Sequence, residues 1–430
     1  MSLDNYRHKM EMHTHELEEF DKSTLSIGEE LRNDPEIKEF LDKVYEEHNN
    51  NINGFNLPRQ VNCSKEYFKA AQEMLDDFVR QIDSPAFNSQ PGLKTEVERT
   101  CKQLKDALKC AQSYDIEQLD KVLQKAIQNR FNDDFFISEL DKSYAFRGLA
   151  PFENMHSRGL GTNYDEMNTH DIEFFRARVS KDPITQRGEM VNLPYKLRSL
   201  SYDARFSSKD QVCLYLGATT YVCKKECQKD EKANPDDLYM SCFKPNEKGK
   251  KLRILNLVVS DCLINGMAKN RDIQNKLLKS FPFVIVTSFR IINPDAIRYE
   301  YLISQRLIKI LRNLGIDGAA YLSCQGESAL QYPHGVNLAL PVYDICEEDQ
   351  YGEICKCFSM TEPFQVNKLL QIDNPLKSTF INDIYTKKSA ECGNIMSNVT
   401  YDGKDIFYGD TLFSRWDDCL INKQFTDFKE

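Results

Sequence analysis

The chain has 430 residues, 41% of them hydrophobic and 28% charged, and a formal net charge of −10. That length predicts two or three domains rather than one core. The acidic balance excludes a general nucleic-acid binder, which needs a basic surface against phosphates, although a local basic pocket stays open.

The sequence contains no run of eighteen apolar residues and no basic, apolar and small leader pattern, so a cytoplasmic protein without a membrane partner is expected. Its 14 cysteines are irregularly spaced. Cys223 and Cys227 form a C-x3-C and Cys355 and Cys357 a C-x-C, without a second pair at zinc-site spacing. Reduced thiols acting as small core residues are therefore expected, and no metal.

In chain order, His8, His13 and His15 lie in a polar arm; with no carboxylate or thiol pattern to fix a geometry, they read as a solvated tail. Asp34-Pro35-Glu36 opens a helix with Ile37, Phe40, Leu41 and Val44 at helical spacing, and 48–58 is a loop. Ser64 reads as the cap of a second helix carrying Phe68, Ala71, Leu75, Phe78 and Ile82. Thr95 with Glu98 reads as a capping box ahead of Cys101, Leu104, Leu108 and Ala111. Asp115 with Gln118 opens a further helix carrying Leu119, Leu123 and Ala126. One apolar stripe per helix predicts a helical bundle over 1–140.

Beyond 140 the apolar runs shorten and fill with β-branched and aromatic residues. FFRARV (174–179), VCLYLG (212–217), RILNLVV (253–259), FVIVTSF (283–289), AAYLS (319–323) and VNLALPV (336–342) read as strands. EYLISQRLIKILRNLG (300–315) reads as a helix ended by Gly315. The stretch 224–251 leaves a helix start and becomes a charged surface insertion. The expected class is α+β, with a mixed domain over 141–345 and a C-terminal extension over 346–430 to which the sequence assigns no structure.

The chemistry-bearing residues bracket one strand. Arg205 sits in the turn ARFSS, Tyr215 on the strand VCLYLG, and Glu226 eleven residues later in the helix start ATTYVCKKE. Alternation puts Arg176 and Arg178 on one face of FFRARV. A guanidinium buried beside a sheet needs an anion, either an internal carboxylate or a ligand phosphate, and spacing does not choose. Each residue also has a plain structural role open to it: Tyr215 in the core, Ser323 at a strand end, Glu226 solvated beside Lys224 and Lys225, Glu300 in a helix first turn. Glu327 is a rival acid.

In this order the segments resemble the RES domain family over about residues 144–345. FFRARV is similar to its opening strand, ARFSSKDQVCLYLG to its Gly-Arg-Phe/Trp-Asn turn and Leu-Tyr-Leu strand, with Ala204 in place of glycine. YEYLISQ resembles the family's Glu-Tyr-x-x-Pro-Gln with Ser304 in place of proline, and IDGAAYLS its Asp-Gly-x-x-Tyr-x-Ser, which supplies Ser323. The helical region resembles the HEPN/RES N-terminal type found in longer bacterial proteins.

The resemblance implies an ADP-ribosyltransferase-like fold and NAD as substrate rather than cofactor, with the nicotinamide–ribose bond cleaved. ADP-ribose would pass to inorganic phosphate as co-substrate, to water or to a protein. It also implies a toxin, with an antitoxin or regulatory partner reached through the helical domain, or an anti-phage effector; oligomerisation stays open. Departure of nicotinamide builds an oxocarbenium-like charge that a carboxylate stabilises. Glu226 takes that role, Arg205 and Arg176 (preferred to Arg178) the pyrophosphate, and Tyr215 the nicotinamide or ribose. Ser323 would hold the carboxamide or a ribose hydroxyl, because no His-acid pair accompanies it as a nucleophile. Ala204 and Ser304 keep open a non-catalytic nucleotide-sensing module.

Overall fold

A computed structural model describes residues 52–83, 92–149, 171–209, 211–227, 237–260, 263–264, 271–325, 332–368, 398–401, 404–408 and 411–428. The readings of His8, His13, His15, the helix at Asp34 and Glu327 lie outside the described residues. Ile52–Glu430 forms one compact unit of the α+β class.

Three helices follow a short strand β1 (Arg59–Val61): α1 (Ser64–Ile82), α2 (Leu93–Gln112) and α3 (Ile116–Gln128). Their predicted stripes are the buried ones, from Phe68, Leu75 and Phe78 to Leu104, Leu108, Leu119 and Leu123. Asp115 caps α3, its side chain accepting from Gln118 N at 3.1 Å. Ser64 is the first residue of α1, behind Cys63, and makes no cap; the capping box at Thr95 does not form either, because α2 starts at Leu93 behind Gly92, which places Thr95 and Glu98 inside the helix.

A ten-stranded sheet runs in the order β14-β10-β5-β3-β4-β9-β8-β6-β2, with β11 also on β5. Its strands are β2 (Ile137–Glu139), β3 (Phe174–Val179), β4 (Cys213–Gly217), β5 (Leu238–Pro245), β6 (Arg253–Leu257), β8 (Gly318–Leu322), β9 (Val336–Pro341), β10 (Phe358–Met360), β11 (Phe364–Gln365) and β14 (Thr426–Asp427). Every neighbouring pair is antiparallel except β6 and β8. Helix α4 (Thr220–Cys227) follows β4. Helices α5 (Arg271–Thr287) and α6 (Tyr299–Asn313), with β7 (Phe289–Ile291) between them, connect β6 to β8. Gly315 follows α6 at φ +63°, the left-handed stop its sequence predicts.

Two readings are corrected. FVIVTSF is the end of α5 up to Thr287, not a strand; only Phe289 enters β7. The second half of this helix, from Ser280, is buried on all sides, so Phe283, Val284, Ile285 and Val286 form a continuous apolar run that carries no helical period. The stretch 224–251 is not a surface insertion: Leu238–Pro245 is the buried strand β5, flanked by charged residues that obscure it.

The segment beyond 346 also has structure. Strands β10 and β11 pair with β5, β12 (Asn398–Tyr401) pairs with β13 (Lys404–Phe407), and helix α7 (Leu412–Ile421) packs on α4. A first core joins α1–α3, α5, α6 and the sheet. A second joins Tyr221 and Val222 of α4 to Met240, Tyr408, Phe413, Trp416 and Leu420. Among the described residues the cysteines are free, no cluster fit to hold a metal occurs, and no helix is long and apolar enough to cross a membrane.

Candidate active site

The site is built on the middle of the sheet, where β9 pairs with β4 on one side and β8 on the other. Register places Tyr215 beside Ala339, and Gly217 and Tyr321 on either side of Asn337. Residues paired across strands share a face, as do residues two apart, so Tyr215, Gly217, Asn337 and Tyr321 face the same way. Helix α4 returns over that face at very short range. A Cβ on Gly217 would lie 2.5 Å from Val222 Cγ1 and 2.7 Å from Cys223 Sγ, so glycine is required for the close approach.

That approach delivers Glu226 to the ends of β8 and β9. Its Oε1 accepts from Ser323 Oγ at 2.7 Å and from Asn337 Nδ2 at 2.8 Å. Ser323 and Asn337 are both buried and Glu226 is half-buried. The lysines beside it turn to aromatic rings, Lys224 to Phe413 and Lys225 to Tyr221, each 5.5 Å from a centroid. Glu226 is thus the polar centre of a fixed triad, not a solvated helix residue.

Two tyrosines accompany it. The hydroxyls of Tyr215 and Ser207 share a 2.9 Å hydrogen bond, which ties the strand back to the arginine turn. Tyr321 feels the charges of both Glu226 and Arg205. Burial pushes its phenol well above the ordinary range; the negative charge of Glu226 adds to that and Arg205 opposes it. Its ring leans on Phe206 with centroids 4.4 Å apart.

The turn carrying Arg205 is closed by Ala204 N to Ser207 O at 2.8 Å and Ser207 N to Ala204 O at 3.3 Å. Gln305 Nε2 donates to both of those carbonyls, at 3.0 and 3.2 Å, so the Gln of YEYLISQ locks the turn in place. Ala204 has no positive φ, so the turn closes without glycine. Arg205 is buried, giving Nη1 to Thr287 O at 2.6 Å and Nη2 to Phe289 O at 2.8 Å. These bonds use two of its five N–H donors. The buried carboxylate of Glu300, from the same YEYLISQ segment, lies within electrostatic reach of it, while its own ion pair is with Arg298 at 3.5 Å.

Arg176 differs. It is half-buried, its Nη1 donates to Tyr215 O at 2.8 Å, and its Nε is buried with no hydrogen-bond partner. Burial lowers its affinity for the proton, and the neighbours that oppose this are the Cys227, Tyr202 and Cys213 side chains rather than a carboxylate. Arg178 shares its strand face but is exposed, donating to Glu189 O at 2.5 Å. The structure therefore joins Glu226 directly to Ser323, ties Arg176 to the Tyr215 main chain, holds Arg205 on the carbonyls of Thr287 and Phe289, and leaves Arg178 at the solvent edge.

Asn337 and Tyr321 were not singled out from sequence. A polar side chain at an inward position of the apolar run VNLALPV was the available signal for Asn337. Tyr321 stands at the tyrosine of the Asp-Gly-x-x-Tyr-x-Ser resemblance, and that position was its signal.

The chain is 26% identical over 267 residues to a protein of Bacillus subtilis (strain 168) named "Putative toxin YopC". The match covers 54% of this chain and 59% of that relative, so the chain spans little more than half of the curated protein it resembles. No family model matches the chain, and no solved structure does.

Proposed function

We propose that the chain is an NAD-consuming enzyme of the RES type that cleaves the nicotinamide–ribose bond and acts as a toxin by depleting NAD. The observation that carries this reading is a half-buried carboxylate held at the centre of the sheet, with an unmatched guanidinium on β3, two strands from the β9 residue that holds the acid. Glu226 is held by two donors on a single oxygen, while Arg176 keeps a buried Nε without a partner.

The chemistry follows from the charges. As nicotinamide leaves, positive charge grows on the ribose carbon and ring oxygen, and Glu226 stabilises it more in the transition state than in the ground state. Ser323 and Asn337 fix the carboxylate through Oε1 and leave Oε2 for a ribose hydroxyl. Arg176 takes the pyrophosphate as the anion it lacks. Arg205 contributes donors beyond the two spent on backbone carbonyls, and Tyr321 or Tyr215 offers a ring to the nicotinamide. The expected toxin character agrees with the name of the Bacillus relative.

Purified chain incubated with NAD is expected to release nicotinamide. Dependence on inorganic phosphate, with a phosphorylated ADP-ribose product, identifies phosphorolysis; free ADP-ribose identifies hydrolysis; label on a protein identifies ADP-ribosyl transfer. Folded chain that releases no nicotinamide under any of these conditions refutes the proposal.

A further inference from the structure

The C-terminal segment holds the helix that carries Glu226. Asp417 of α7 is buried and divides its two oxygens between neighbours. Oδ1 accepts from Thr220 N at 2.8 Å, and Oδ2 accepts from the Tyr408 hydroxyl at 2.6 Å. Thr220 Oγ1 donates to Phe413 O at 3.1 Å, and the Phe413 ring packs edge-on against Tyr221 with centroids 5.3 Å apart. The first turn of α4 is thus bound to α7 by main chain, side chain and ring.

The same group reaches the opposite wall of the site. Tyr408, held by Asp417, stacks on His334 with centroids 3.9 Å apart and planes 13° apart. Thr219 Oγ1 donates to His334 O at 2.6 Å. The next residue, Gly335, accepts from Ser323 N at 2.9 Å, and Asn337 follows in β9. One carboxylate therefore connects the start of α4, whose end bears Glu226, to the loop that sets Ser323 and Asn337.

We infer that Asp417 is a positioning residue: through Thr220 and Tyr408 it keeps Glu226 in register with Ser323 and Asn337. The segment around Tyr408 and α7 is then a supporting wall of the site and not a separate module. This rests on the proposed role of Glu226. A shift of about 1 Å at a reacting group can cost on the order of 100-fold in rate, and α4 is short enough that its first turn governs where residue 226 lies.

The test compares full-length wild type with Asp417→Ala and Asp417→Asn by hydrogen exchange and by nicotinamide release. Asp417→Ala should speed exchange of the 220–227 amides about tenfold and leave α1 unchanged, since local opening is read segment by segment. It should lower kcat about tenfold with KM for NAD within about twofold, the pattern of an interaction realised in the transition state. Asp417→Asn keeps an acceptor for Thr220 N–H and should recover most of both. Wild-type exchange over 220–227 in Asp417→Ala, or exchange raised equally in α1, overturns the clamp. Faster exchange with wild-type kcat overturns its link to the site. If wild type releases no nicotinamide the proposed function fails, while exchange still decides the clamp. Should Asp417→Ala not fold, Tyr408→Phe removes the Oδ2 bond together with the hydroxyl's interactions with Thr219 and Thr220, leaves Oδ1 on Thr220 N, and is expected to move both readouts in the same direction, about threefold.

Discussion

Two guanidinium groups illustrate what a side chain's surroundings decide. Arg205 and Arg176 both come from motifs that look alike as basic residues beside a strand, yet their environments differ. Arg205 has carbonyls at 2.6 and 2.8 Å and Glu300 nearby, while Arg176 has one carbonyl and an unpartnered Nε. An uncompensated buried cation destabilises a fold. Arg176→Met is therefore expected to keep or raise Tm while abolishing tight NAD binding, measured by calorimetry on the same sample; a fall in Tm would mark the arginine as structural. For the carboxylate, Glu226→Gln should retain both donors' partner and still lower kcat roughly 100-fold, the scale of lost electrostatic stabilisation. Asn337→Ala should cost about tenfold, because one bond to a half-buried charge is worth about 1.5 kcal/mol or more. Equal activity of the Glu226→Gln variant would remove Glu226 from the chemistry.

At the scale of elements, Gly217 allows α4 to rest on the sheet, and that contact places Glu226. Gly217→Ala puts a methyl 2.5 Å from Val222 Cγ1, an overpacking expected to cost about 1–3 kcal/mol. Because the relief available is movement of α4, activity should fall by more than the stability loss alone would give; thermal melts paired with nicotinamide release check this. Legibility followed physical pattern. The edge-read strands FFRARV, VCLYLG, AAYLS and VNLALPV were recognisable from composition and turn residues, and α1 and α3 from one clean stripe each. FVIVTSF carries no helical signal because the second half of α5 is packed among α1, α2 and α6, and a stretch apolar on every side has no period to detect. Strand β5 was hidden because charged residues flank it closely on both sides.

In the molecule as a whole, α1, α2 and α3 do not stand apart from the sheet-bearing part. Phe281 of α5 packs between Phe55 and Phe78, Tyr67 donates to Val286 O at 2.9 Å, and Arg306 of α6 forks onto Asp120 of α3. Each apolar side chain of α5 stripped of this cover would lose about 2 kcal/mol of burial. A chain beginning at residue 140 is therefore expected to be insoluble or to lack cooperative melting, checked by solubility and calorimetry; a soluble fragment with a sharp transition would show that the helices are dispensable to the fold.

By itself the sequence determined the α+β class, the helix stripes, most central strands and the order of Arg176, Arg205, Tyr215, Glu226 and Ser323 along the chain, because these depend on local period and turn chemistry. Only the tertiary structure decided that Glu226 meets both Ser323 and Asn337, that Arg176 is half-buried with a buried Nε while Arg178 is exposed, and that Asp417 supports the acid from the far end of the chain. Those outcomes depend on strand register, on one glycine-permitted helix approach and on contacts between residues up to 197 positions apart, and no local pattern encodes such distances.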